Sequence, residues 1–210
     1  MGDLADYASL ATAAGTLVLA AATFSSVRSA NRAAKAAERS TLAALRPVLA
    51  TSRFQDPELK IGWVDEHWTR VPGGQAGVEL TDEVIYLSMG LRNVGAGMAV
   101  LHGWLPYGER DPDRPHPEPD AFRRLTRDLY VPAGDLGFWQ GALREPAEPL
   151  FAEMAGAITE RRRFEIDLLY GDQEGGQRVI TRWGVTPSPN GEVWLPSVSR
   201  HWNLDRPDPR

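Results

Sequence analysis

Side chains with catalytic reach are few in this chain, and they are scattered. Four histidines, His67, His102, His116 and His201, share no metal-ligand spacing such as HExxH. His102 stands out because it lies in the run AVLHGW, with Asp172 and Glu174 available in a later turn. A fold that joined His102 to Asp172 would centre a metal- or carboxylate-dependent hydrolase. The competing reading is a histidine hydrogen-bonded beside Trp104, as His201 is beside Trp202. The absence of cysteine removes thiolate nucleophiles, cysteine metal sites and disulfides. No serine occupies a GxSxG elbow and no paired carboxylates are placed for acid–base work. No catalytic residue, metal ligand or cofactor is therefore assigned.

Glycine-rich segments read as turns. Asn93, Gly95 and Gly97 imitate a phosphate loop, but neither a helix nor a lysine follows, and positive φ angles in a hairpin connection account for them. The Gly-Gly-Gln triplets at 73–75 and 175–177 are turns by the same argument. Two basic clusters, one of Arg123, Arg124 and Arg127 and one of Arg161, Arg162 and Arg163, suit lipid headgroups or an acidic partner, against the alternative of a solvated helix end. The seven tryptophans fall mostly in strand-like segments and so in a core.

The elements that would carry these groups begin with residues 7–27, an uncharged run. As a helix at about 1.5 Å per residue it spans roughly 31 Å, the thickness of a bilayer's hydrocarbon core, and reads as a single transmembrane helix. Its acidic start and its length argue against a cleaved signal peptide. Alanine, serine and threonine dilute it, so a soluble packing helix is the alternative. Thr12, Thr16, Ala20 and Thr23 share one face, and Ala11 with Gly15 forms a small-xxx-small pair, the kind of surface on which membrane helices self-associate. Residues 28–46 continue as a basic juxtamembrane helix until Pro47. Arg28, Arg32 and Lys35, followed by Arg39, form a stripe suited to anionic headgroups, and the positive-inside bias places the C-terminal part in the cytoplasm.

Charge separates the two regions. Residues 1–46 carry Arg28, Arg32, Lys35, Arg39 and Arg46 against Asp3, Asp6 and Glu38, a balance of +2, which leaves −7 of the net −5 to the remainder. An acidic globular part excludes nucleic acid as the main partner. Lysine occurs only at positions 35 and 60 among many arginines, the usage of a GC-rich bacterial genome.

From Pro47 the texture becomes short alternating segments split by turn residues, which predicts a mainly β domain over 47–204. The clearest strand is 84–92, where Ile85, Leu87, Met89 and Leu91 alternate with polar or small residues, and 98–107 is expected to return beside it as a central hairpin. Residues 108–119 form a polar, proline-rich exposed loop. Asp120 is expected to cap a short helix through Arg127, a second helix covers 149–161, and 163–170 with 177–185 form a hairpin about GDQEGG. The result is an immunoglobulin-like β-sandwich with one or two short helices, a short tail at 1–6 and a disordered tail at 205–210.

With YLSMGLRNVGAGMAVLHGW, YGDQEGGQRVITRW and the Arg46-Pro47 pair in view, the chain resembles uncharacterised actinobacterial single-pass membrane proteins. Their layout is one span, a charged helix ending in Arg-Pro, and a β-sandwich with a leucine-x-asparagine-x-glycine hairpin, here Leu91, Asn93 and Gly95. The resemblance implies that architecture and supplies no functional residues. The expected protein is a noncatalytic interaction or scaffolding module on the bacterial cell membrane, with lipid, a second copy and a protein as partners. The competing readings are the hydrolase centred on His102 and Asp172 and a lipid-binding sandwich.

Overall fold

The computed structural model describes residues 2–206, with the side chains of 2–8 and 11 outside that description. Two compact units emerge, Met1–Ala43 and Ala44–Arg210. The first is a continuous helix, α1 (Gly2–Ala44), so residues 2–6 are helical and do not form a separate tail. Alanine favours the helix throughout, and it stops just before the Arg46-Pro47 pair, where the residue preceding proline is pushed out of the α region.

The second unit holds eleven strands, all paired antiparallel, and one short helix. They are β1 (Leu49–Thr51), β2 (Leu59–Gly62), β3 (Trp68–Val71), β4 (Ala76–Leu80), β5 (Ile85–Asn93), β6 (Ala99–Tyr107), β7 (Arg123–Val131), β8 (Leu136–Leu143), α2 (Pro149–Thr159), β9 (Phe164–Gly171), β10 (Val179–Pro187) and β11 (Trp194–Asn203). β5 takes β8 along one side and β4 then β1 along the other; β11, β10, β9, β6 and β7 follow in that order, with β4 and β11 joined at Ala76 and Trp194. β2 and β3 form a separate hairpin. The arrangement is mainly β and sandwich-like. Its interior is filled by large side chains from both runs of strands, Leu87, Met89 and Trp139 on one side and Trp104, Ile166, Leu168 and Trp183 on the other, with Phe151, Met154 and Ala157 of α2 added. Six of the seven tryptophans are buried and Trp68 is exposed, as their place in strands leads one to expect.

Several expectations need correction. β5 and β6 do not pair, so residues 93–97 connect strands with different neighbours and are no hairpin turn. Gly95 and Gly97 do not take positive φ. They are small because a Cβ at Gly97 would fall 1.9 Å from the Leu45 carbonyl oxygen and one at Gly95 would fall 2.4 Å from that of Arg46. Asn93 organises the crossing: Nδ2 donates to the carbonyls of Gly97 (2.6 Å) and Val131 (2.9 Å), while Oδ1 accepts from the N–H groups of Gly95 (3.0 Å) and Val48 (3.2 Å). Residues 123–127, expected in a helix capped by Asp120, belong instead to strand β7, whose pairing satisfies the edge of β6 that a helix here would leave open; Pro119–Ala121 makes a 3₁₀ turn. Asp205, expected in a disordered tail, accepts from the Arg178 backbone and guanidinium at 2.7 Å; residues 207–210 lie outside the described residues.

Asn93→Ala strands buried donors and acceptors at the crossing and is expected to cost more than about 2 kcal/mol in urea unfolding of the chain. Asp56 supplies a pH dependence. Hydrogen bonds from Arg92 at 2.5 and 2.7 Å, with that from the Arg53 N–H, hold its carboxyl at about 2. A depressed acid favours the folded state above its ordinary value of 3.8 and loses that contribution as the pH falls towards 2. Asp56→Asn should flatten the stability profile in that window while leaving its shape above it unchanged.

Candidate functional site

In the β9–β10 hairpin the residues Phe164, Ile166, Leu168 and Tyr170 face the core, so the odd-numbered Glu165 and Asp167 face outward, and register places Asp167 directly opposite Arg182 of β10. Outward-facing charges on a sheet are normally wet. Here Asp167 is 0 % exposed, Glu165 2 % and Arg182 3 %. The cover comes from the 108–118 loop, which is largely exposed as expected but is pinned where it crosses the sheet: Arg182 donates to the carbonyls of Arg114 (3.0 Å) and Pro115 (3.3 Å).

Arg182 also makes two parallel bonds to Asp167, Nε to Oδ1 and Nη2 to Oδ2, both 2.8 Å. Its guanidinium lies 4.9 Å from the Trp202 ring centre and 5.4 Å from that of Tyr107; Arg114 stacks on the other ring at 4.0 Å and Arg200 on Trp202 at 5.3 Å. Both titrations of the pair are pushed upward. Burial, the largest influence, raises Asp167 against the pull of Arg182, whereas bonding to Asp167 raises Arg182 against burial. The two parallel bonds are the geometry of an ionised carboxylate with its guanidinium partner, which opposes the neutral form that burial favours. Burial, then the Asp167 charge, pushes the Tyr107 hydroxyl up to about 12. Beside this network opens a cavity of about 380 Å³ bordered by Arg110, Asp111, Arg163, Glu165, Arg182 and Arg200.

Histidine chemistry has no comparable setting. Asp172 is buried and spent on its turn, accepting from the Gly176 N–H and from Gln177 Nε2 at 2.9 Å. His102 is exposed overall, although its Nε2 would lie 3.0 Å from a Cβ placed at Gly171; local desolvation, then Arg178, lowers its pKa, and Asp172 opposes them. His67 bonds Glu79 at 2.8 Å, His116 packs edge-on against Trp202, and His201 bonds Thr181 at 2.6 Å. Among the described residues no group of three or more His, Cys, Asp or Glu could hold a metal.

On α1 the expected surface-contact residues Arg28, Arg32 and Lys35 share one face with Phe24, Val27 and Asn31. Leu10, Leu17, Val18, Leu19, Phe24 and Val27 are 54–72 % exposed. Thr12, Gly15, Thr16, Ala20 and Thr23 of the self-association face are exposed as well, and Ala11 lies outside the described side chains. The hydroxyls of Thr16 and Thr23 donate to carbonyls four residues back at 2.8 Å. Among the described residues no helix is long and apolar enough to cross a membrane, so the span expected over 7–27 is unsupported; alanine, serine and threonine separate its bulky residues too widely.

No protein-family model matches the chain, and no curated protein does. Among solved structures, β-glucosidase from Kluyveromyces marxianus aligns at 13 % identity over 61 % of this chain and 14 % of that one, with a TM-score of 0.22. The chain thus spans about a seventh of that enzyme, and a likeness at this score carries neither fold nor function.

The sequence signal for the ion pair was the outward parity of Glu165 and Asp167 against Ile180 and Arg182; its burial was invisible because the covering loop is distant in sequence. Asp167→Asn is expected to cost about 3–5 kcal/mol by leaving Arg182 buried beside a neutral group. In the double variant Asp167→Leu with Arg182→Met, urea unfolding should recover most of that loss.

Proposed function

We propose that the chain is a noncatalytic recognition module tethered to a bacterial membrane by α1, its sandwich domain acting in the cytoplasm as immunoglobulin-like sandwiches do, by presenting a surface to a partner. The observation that carries this reading is the run of bulky apolar side chains from Leu10 to Val27 that no other part of its own compact unit covers, followed on the same helix by Arg28, Arg32 and Lys35. Apolar surface of this extent needs an environment that removes it from water, and cations next to it suit anionic headgroups.

The dilution by small residues fits a helix that enters the bilayer with a second copy. Ala11 with Gly15, and Thr12, Thr16, Ala20 and Thr23, would let two backbones approach closely, and packing would supplement the modest transfer energy of each helix. Threonine hydroxyls already bonded to their own helix, as at Thr16 and Thr23, add little polar cost in lipid.

Alkaline carbonate should leave the intact chain in the membrane pellet; recovery in the supernatant would remove the tether. A cytoplasm-active reporter fused after Arg210 should be active, and changing Arg28, Arg32 and Lys35 together to glutamine should lower that signal in favour of a periplasmic reporter. Gly15→Leu should reduce self-association of the chain in detergent, measured by sedimentation, without releasing it from membranes.

A further inference from the structure

The cavity above the β9–β10 hairpin is polar and basic within an acidic domain. Asp167 already matches Arg182. Removing that pair leaves Arg110, Arg163, Arg200 and the neighbouring Arg114 against Asp111 and Glu165, a surplus of two positive charges.

Two buried atoms at the cavity lack hydrogen-bond partners among the described residues. Glu165 Oε2 has Arg114 Nη1 at 3.6 Å and Arg182 Nε at 3.9 Å, too far to bond, and Arg163 Nε is likewise unmatched while its Nη2 lies 3.8 Å from Glu165 Oε1. An acceptor and a donor on two residues that border the same cavity are thus unmet where the remaining charge is positive. Leaving both unmet is costly, so their arrangement is informative. Gly184, paired with Glu165 in register, makes room for Arg163: a Cβ there would lie 2.1 Å from Arg163 Nη2.

We infer that this cavity binds a small hydroxylated anion, its carboxylate or phosphate meeting Arg163, Arg110 and Arg200 while a hydroxyl donates to Glu165. A plain anion leaves Glu165 unmet and repels it; a neutral polyol leaves the arginine charge unmatched; a zwitterion leaves the surplus in place. The volume of about 380 Å³, at roughly 30 Å³ for each water-sized unit, accommodates about a dozen non-hydrogen atoms. It falls in the ordinary range of small-molecule sites. The inference does not depend on α1 entering a bilayer.

Isothermal titration of the full chain in detergent micelles tests it with four probes: gluconate and glycerol 3-phosphate, hexanoate as an anion without hydroxyls, and sorbitol as hydroxyls without charge. Gluconate or glycerol 3-phosphate should bind about tenfold or more tightly than hexanoate, and sorbitol not at all. Whichever of the two binds better identifies the acid group. Arg110→Ala, on the exposed loop, should weaken binding about tenfold with the unfolding transition unchanged. Glu165→Gln, which removes the repelling charge but keeps an acceptor, should strengthen hexanoate binding and narrow the preference for hydroxylated anions, a change that mere damage to the fold would not produce. Absence of binding by both hydroxylated anions to the folded chain, or equal binding of gluconate and hexanoate, would overturn the inference.

Discussion

A carboxylate and a guanidinium that leave water must find all their partners in protein, and the pair Asp167–Arg182 imposes that demand on everything around it. Two bonds join the charges to each other, two carbonyls of the 108–118 loop accept two more of the five guanidinium N–H groups, and Trp202 and Tyr107 lie beside it. A loop rich in proline has few backbone donors and no ladder of its own, yet this one is held in place because the sheet offers it a cation. The same constraint builds the cavity, whose border combines residues of the pinned loop with residues of β9, β10 and β11. Such a pair contributes more to fixing one arrangement than to net stability, since desolvation offsets much of its attraction.

The crossing at Asn93 obeys the same rule with neutral groups. Its amide satisfies four backbone partners drawn from three stretches of chain, and the glycines beside it keep the approaching backbone at residues 45–48 within reach. Side chains there would force apart segments that the core requires to be close. Buried polar accounting, and not turn conformation, therefore explains why these glycines are present.

The helix poses a different physical problem. Its bulky residues are exposed within its own unit, and the hydroxyls of Thr16 and Thr23 are turned back onto carbonyls of the same helix. A helix of this composition is stable by propensity but leaves apolar area in water, which is the basis for reading it as a tether and as a contact with a second copy. In the domain, by contrast, nearly every large apolar residue is enclosed, Trp68, Phe54 and Val64 being among the exceptions.

Periodicity made the strands legible: the alternation through Ile85, Leu87, Met89 and Leu91, and through Phe164, Ile166, Leu168 and Tyr170, marks the faces that are buried. Composition made α1 legible, and proline marked its end. These are local properties, set by side chains a few residues apart. Pairing is not local. That β5 avoids β6, that β7 is a strand where Asp120 promised a helix, and that Glu165 and Asp167 are buried on an outward face all follow from partners far along the chain. The sequence by itself determined α1, α2 and the strands with clear alternation, and which of their faces are apolar; only the tertiary structure decided that residues 123–127 pair as a strand and which polar groups would be enclosed together, because pairing and enclosure depend on what lies beside or over a segment and not on the residues that form it.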